Sequence, residues 1–493
     1  LKPFWLKPFR LNGFLCHRSD SLMSRPKDIE EPVANNEVCE TTPLKGEPSG
    51  FFHITLQAAI VRIVTCIVSL AEGYDGAVFG ACANRLVKEF DLTPWQLGML
   101  ASSAPLACLI GAPGAGFLMN HMGRKPLLFV ICIIISAGAL LQAVAQNVFA
   151  FGVGRFIIGF GTGAGMTTVT VYVAEVSPAK VRGLLTSLEE IFINIGISGA
   201  FVAAFVMLGP NGFGWRGCMA LGVFLPLVAA SMLPWSWTPE SPRYHLLCGE
   251  EDQARLAMKD LGISTDEAQQ AMQAWANKTP RANEPWTQMQ THSKALALAI
   301  CIALANMGCG IAAIHTLCPW ILSSKMPEEQ ALEWAMTIST IKFIILFPVC
   351  FFLLDNVGRR PLLCYSSMVY VSAAVFTCIA FMKGLPAEAV GIGVGVVLCS
   401  FSSGVGPATW PYIAEVLPTV IRGHGTGVAL MCGRAVAVLW LLFFPMLFAW
   451  KAAAAFGAIA GTSGLGCLFY FLACHETRQQ TLENIQQAWH KET

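Results

Sequence analysis

The sequence predicts an all-α integral membrane protein of twelve transmembrane helices in two six-helix bundles, and three observations carry that prediction. Hydrophobic residues make up 55% of the 493-residue chain and charged residues only 13%, roughly half the charge of an ordinary soluble domain. Twelve apolar runs are long enough for the roughly 20 residues a bilayer span takes: 58–82, 94–119, 126–146, 149–174, 184–208, 215–237, 295–322, 333–354, 361–382, 387–413, 424–447 and 451–474. A ten-residue phrase, AEVSPAKVRG at Ala174 to Gly183, returns as AEVLPTVIRG at Ala414 to Gly423, and GRKP at Gly123 returns as GRRP at Gly358, with offsets of about 240 and 235 residues. Two motifs recurring at nearly one offset mean duplication, so six spans belong to each half.

Taken in order, residues 1–53 are polar, Pro-containing and aperiodic, which reads as a disordered cytoplasmic tail. The chain opens on Leu and spells LKPF twice in its first nine residues, so Met23 is the expected natural start. No apolar core precedes a small-residue cleavage site there, and the first span is expected to act as its own insertion signal. Residues 54–237 form the first bundle. A polar linker follows at 238–293, with helical patterns around Glu251 to Leu261 and Thr265 to Ala276, too short for an enzymatic domain. Residues 294–475 form the second bundle, and 476–493 a cytoplasmic tail.

Cationic loop residues cluster on one side. Arg124, Lys125, Lys180, Arg182, Arg243, Arg359, Arg360, Arg422 and Arg478 share one face if the N-terminus is cytoplasmic, as the positive-inside rule requires. Both termini and the linker then face the cytoplasm. The net charge of +1 offers no bulk field for nucleic acid. Most of the 18 cysteines lie in apolar runs, where they behave as small hydrophobes, and no C-x-x-C pair marks a metal or redox site. No cofactor motif is present, and a monomer in the bilayer is expected.

The informative residues are the charges inside the spans: Arg62, Glu72, Asp75, Arg155, Glu189, Glu190, Lys342 and Arg434. Each costs about 2.5 to 3.5 kcal/mol to insert unless paired or hydrated, so pairing or function must offset it. Asp75 in the first span and Arg155 in the fourth lie at matching depth, with Glu72 one turn from Asp75. An acid drawn up by burial and down by an arginine can toggle its charge, as proton coupling requires. Lys342 and Arg434 sit near mid-membrane in a half that holds no acid at that depth. Either an anionic solute supplies the missing charge, through the arginine's bidentate fork, or Arg434 pairs permanently with Glu190 or Glu189. His315 reads as a polar core residue or a ligand contact, and Trp410 as packing or a stacking surface. The run GFGTGAG at Gly159 lacks the strand and lysine of a phosphate loop and reads as close helix packing.

With these residues placed, the chain resembles the major facilitator superfamily over about residues 54–485. GYDGAV, GFLMNHMGRK with Asn120 where the signature has Asp, DNVGRR with Asp355, PESPRYHLLCGEEDQA and HETRQQTLE are similar to sugar-porter motifs. The resemblance implies a central cavity, alternating access by rocking bundles, and a cytoplasmic gate in which Arg124, Glu175, Arg182, Glu240 and Arg243, with Asp355, Arg359, Glu415 and Arg422, exchange salt bridges. The sugar-contacting positions depart from the hexose pattern. Asn306-Met307 stands in place of Gln-Gln, Glu190 in place of Gln, and Gly433-Arg434 in place of Asn-Trp. The basic residue on the eleventh span resembles the branch of synaptic-vesicle-2-related proteins and organic-ion transporters, which implies a proton-coupled organic-anion (carboxylate) transporter. Two alternatives stand beside it: a sugar or polyol proton symporter, and a non-transporting vesicle or receptor protein on a transporter fold. No nucleophile, base and orienting group converge, so an enzyme is not expected.

Overall fold

The computed structural model describes residues 55–177, 182–209, 212–233, 238–262, 289–418 and 421–476, and these form helices and turns without strands. Twelve helices are long and apolar enough to cross a bilayer. They are α1 Leu56–Phe90, α2 Pro94–Met122, α3 Arg124–Ala143, α4 Val148–Val176, α5 Leu188–Met207, α6 Gly214–Met232, α7 Ser293–Thr316, α8 Glu328–Pro348, α9 Arg359–Lys383, α10 Ala387–Val416, α11 His424–Trp450 and α12 Ala452–Ala473. The linker contributes short helices at Pro242–Leu247 and Glu251–Asp260, while the pattern at Thr265 to Ala276 lies outside the described residues.

Local sequence sets the helix ends. Thr55 and Asn147 cap α1 and α4 by accepting from the N–H groups of Ala58 and Ala150. Thr93 and Gln96 form a reciprocal capping box ahead of Pro94 at the start of α2, which satisfies N–H groups that the helix itself leaves unpaired. In the first half, α1 packs on α5 and α6, α4 on α2 and α3, and α3 on α6; in the second, α7 packs on α11 and α12, and α9 on α10 and α12. Small residues permit the closest approaches. A Cβ on Gly159 would lie 2.1 Å from Ala104 O, and one on Gly163 2.6 Å from Cys108 O, so GFGTGAG is indeed a packing stripe between α4 and α2.

The halves meet where α2 packs on α11, α5 on α8, and α1 on α7 with the helical turn Cys318–Leu322. α7 breaks between Gly308 and Ile311, at Cys309 and Gly310. Side chains answer the freed carbonyls: Trp440 Nε1 donates to Gly308 O at 3.0 Å and the Tyr370 hydroxyl to Cys309 O at 2.8 Å. Such interrupted helices survive in a bilayer only where protein satisfies the backbone. α10 carries a π-helical stretch, Phe401–Val405.

Candidate functional site

The duplicated phrases lie at one end of the molecule and build the same cluster twice. Arg124 clasps Glu175 with both prongs, Nε to Oε2 at 2.8 Å and Nη2 to Oε1 at 2.9 Å, and both side chains are buried. Glu240 caps α3 by accepting from the backbone N–H groups of Arg124 and Lys125, each at 3.0 Å, where the helix end favours negative charge. Burial pushes the Glu240 carboxyl above its ordinary value, and those N–H groups oppose the shift. In the second half Arg359 Nη2 lies 3.0 Å from Glu415 Oε1, and Glu476 caps α9 through the N–H groups of Arg359 and Arg360 at 3.1 and 3.2 Å. Gly123 (φ +87°) and Gly358 (φ +102°) make the tight turns; a Cβ on either would lie 2.6 Å from the capping carboxylate. Tyr172 donates to Pro239 O and Tyr412 to His475 O, completing the correspondence. Arg243 is exposed, and Arg422 reaches only Leu417 O, at 3.4 Å. The side chains of Arg182 and Asp355 lie outside the described residues. Arg124–Glu175 and Arg359–Glu415 each stay within one half.

At the opposite end the halves are joined. Arg85 and Lys88 of α1 both reach Glu328 at the head of α8, at 3.0 and 3.1 Å. Ser323 donates to Asn84 at 3.0 Å, and the Trp95 and Phe443 rings lie 6.3 Å apart across the α2–α11 contact. Gly80 and Gly98 sit directly against the carbonyls of Thr316 and Leu442. This end is shut.

Between the ends lie the membrane charges, acids near bases, with Glu189 accepting from Thr170 at 2.9 Å and Glu190 from Asn194 at 3.2 Å. Within the first half Asp75 feels Arg155, and Glu189 feels Arg62. Across the interface Glu72 feels Arg434, and Lys342 feels Glu190. Among the described residues none of these four couples closes into an ion pair. Arg155 instead donates to Leu100 O at 3.0 Å and lays its guanidinium 4.1 Å from the centre of the Phe79 ring. Arg434 Nη2 points across the interface to the Met166 sulfur at 3.3 Å, while its buried Nε has no partner. His315, beside Lys342, also has a buried ring nitrogen without a partner. Ser198 and Ser339 hydrogen-bond across the α5–α8 contact at 3.0 Å.

Two expected contact residues also help hold the second bundle together, and among the described residues the buried Oδ1 of Asn306 has no partner. Asn306 Nδ2 donates to Val405 O at 3.1 Å and Thr409 Oγ1 at 2.9 Å, tying α7 to the π-helical stretch of α10. Trp410 packs against the core of the second bundle.

A family model described as sugar (and other) transporter matches residues 61–489. The chain belongs to this sugar transporter family. Relatives include polyol transporter 5 of Arabidopsis thaliana, 28% identical over 86% of this chain and 85% of the relative, and the arabinose-proton symporter of Bacillus subtilis, 25% identical over 92% of this chain and 100% of the relative. The fold is similar to the inward-open xylose transporter XylE from E. coli, with a TM-score of 0.75 and 21% identity, covering 88% of this chain and 100% of that one. The protein is thus a multi-pass membrane protein with a major facilitator fold, of a transporter rather than an enzyme family.

These findings correct the expected branch. The relatives are sugar and polyol transporters, not synaptic-vesicle-2-related or organic-ion proteins. The physical reason lies in the interface. Lys342 and Arg434 lack an acid within their own half, but Glu190 and Glu72 of the other half act on them. Arg62 bonds Ser177 at the end of α4 and reaches Val173 O at 3.5 Å. Sequence reasoning missed four residues. Glu476 repeats Glu240, and the motif HETRQQTLE held the clue. Tyr172 and Tyr412 stand two residues before the repeated AEV. Gln142, fully buried, was the one amide within the apolar part of the third run.

Proposed function

We propose that this family member is a proton-coupled symporter of a neutral polyhydroxylated solute, a sugar or polyol, working by alternating access. The observation that carries this is a polar interface with unspent hydrogen-bonding atoms: Arg434 Nε and a His315 ring nitrogen are buried without a partner and Ser198 meets Ser339 across it, with Glu72 and Glu190 of the first half balancing Arg434 and Lys342 of the second. Solute hydroxyls both donate and accept, so they can bridge an acid on one bundle and a base on the other. An extra carboxylate would upset a neutral site in a low-dielectric setting. The names of the polyol, glucose and arabinose-proton relatives support the same reading.

Asp75 is the proton carrier and Arg155 its electrostatic counterweight, with Glu72 one turn away. Arg434, Lys342, Glu190 and His315 face the solute. Arg124, Glu175 and Glu240, repeated as Arg359, Glu415 and Glu476, form the gate at the motif end, which carries the cytoplasmic loops and termini. The protein works as a monomer. Uptake into proteoliposomes of labelled polyols, aldoses and small carboxylates, with and without an imposed proton gradient, tests the reading. Neutral polyols or sugars accumulating only with the gradient is the expected result; gradient-driven uptake of carboxylates alone refutes it.

A further inference from the structure

The side of Asp75 away from the solute groups holds a small enclosed cavity of about 10 Å³, lined by Asp75, Tyr74, Gln142, Ile158 and Met219 among others. Its volume is about that of one water molecule's probe sphere. Gln142, on α3, is fully buried, and neither its Nε2 nor its Oε1 has a hydrogen-bond partner. Its stem packs closely on Gly154 of the neighbouring α4, where a Cβ would lie only 2.8 Å from its Cγ. Tyr74, the other polar residue here, already donates to Cys218 O at 2.8 Å. Leaving a buried amide unsatisfied costs about 1 to 3 kcal/mol. An amide aimed into a cavity shared with a carboxyl has something to hold.

We infer that Gln142 and Asp75 share one water molecule in this cavity, and that Gln142 thereby positions the group that carries the transported proton. The inference rests on the proton-coupled reading above. A carboxamide suits the task because it has a donor at nitrogen and an acceptor at oxygen. With Asp75 ionised, the water donates to the carboxylate and accepts from Gln142 Nε2. With Asp75 protonated, the carboxyl O–H donates to the water, which donates in turn to Gln142 Oε1. One side chain therefore answers the water in both states, through its nitrogen in one and its oxygen in the other, and the carboxyl of Asp75 keeps a partner as it loads and unloads. The charged and titratable groups around Asp75 are Arg155 from α4 and Glu72 and Tyr74 from α1 itself, with the Cys218 thiol of α6 beyond Tyr74 and Glu189 and Glu190 of α5 beyond Glu72. α3 adds no charge at this point, only the amide.

Removing the amide weakens the ionised state more than the neutral one, since hydrogen bonds to charged groups are the stronger ones. In proteoliposomes, Gln142→Met, which keeps the length of the side chain, is expected to retain solute counterflow while the pH of half-maximal gradient-driven uptake moves up by about one unit. Counterflow retained with an unmoved midpoint overturns the inference. Asp75→Asn, run alongside, separates the two readings: if it still accumulates solute in a pH-dependent way, proton coupling through Asp75 is wrong, whatever Gln142 does. Should Gln142→Met fail to fold, infrared difference spectra of the wild-type protein between low and high pH decide the matter. A glutamine carboxamide band changing together with the carboxyl band, both absent in Asp75→Asn, is the expected result. A carboxyl band that titrates with no carboxamide partner overturns the inference.

Discussion

Gly80 offers the sharpest test of how the halves move. It lies on α1 against the chain at the end of α7, and a Cβ there would sit 1.4 Å from Thr316 O and 2.7 Å from its carbonyl carbon, where ordinary contact begins at 3.4 Å. Gly80→Ala therefore requires α1 and α7 to separate by about 2 Å at the end that is now shut. The polar latch holding that end is weak. Two exposed ion pairs to Glu328 contribute about 0 to 1 kcal/mol each, and the Ser323–Asn84 hydrogen bond contributes about 1 kcal/mol. Overpacking a close contact costs about 1 to 3 kcal/mol or more, which matches or exceeds the latch. Every 1.4 kcal/mol is a factor of about ten in population, so the alanine is expected to shift the protein by tenfold or more toward the conformer open at this end.

Hydrogen–deuterium exchange resolved by peptide reads this directly. Amides from Ser323 to Glu328 are expected to exchange faster and those around Arg124 and Arg359 more slowly. Gly73→Ala is the control, because its Cβ would lie 1.9 Å from Ile193 O on α5, inside one bundle. It strains both conformers alike and is expected to lower the melting temperature without redistributing exchange between the ends. Gly80→Ala with wild-type exchange and wild-type stability would refute the reasoning.

Other expectations follow from the same geometry. Asp75→Asn is expected to abolish uptake against a gradient while sparing solute exchange, as paired flux assays would reveal; unchanged uphill uptake removes Asp75 from the mechanism. Glu72→Gln leaves Arg434 unopposed across the interface, so binding of a sugar acid, measured by calorimetry, is expected to appear where the wild type shows none. The double variant Glu72→Gln with Arg434→Gln should lose that gain, with a coupling of about 0.5 to 3 kcal/mol in a double-mutant cycle. Arg124→Ala strands the buried Glu175 and is expected to cost about 3 to 5 kcal/mol. Arg359→Ala, whose ion pair is more open to solvent, should cost clearly less by thermal unfolding in detergent.

Much of the fold was legible because a bilayer leaves few options: long apolar runs must be helices, and a repeated phrase must be a repeated structure. The motif end was legible for the same reason, down to Arg124 with Glu175 and Arg359 with Glu415. The solute site was less so. Depth along a span follows from counting residues, but which face of the helix meets which neighbour depends on packing between halves. Lys342 and Arg434 therefore looked unopposed when each half was read alone. That the Asn306 nitrogen also ties α7 to α10 was not legible, because the break in α7 and the π-helical stretch leave no sequence signature of their own. Gln142 was invisible for a plainer reason, since a single amide in an apolar run reads as tolerated rather than placed.

The arrangement of the four acid–base couples assigns them different work. Asp75–Arg155 and Glu189–Arg62 lie within one bundle, so rigid-body rocking leaves their separation unchanged. Such a couple can hold or release a proton in either conformer and is governed by solvent access alone. Glu72–Arg434 and Glu190–Lys342 span the two bundles, so rocking alters their separation and the energy of the gap between them. A solute whose hydroxyls bridge that gap changes the relative stability of the conformers, because it interacts differently with the two, and only such differential binding can shift a conformational equilibrium. A proton on Asp75 acts on the same interface through Glu72, one turn away on the same helix. On the symport proposed above, proton and solute thus meet on α1, where an intra-bundle acid sits next to one that faces the other bundle, and that mechanism requires no more direct contact than that.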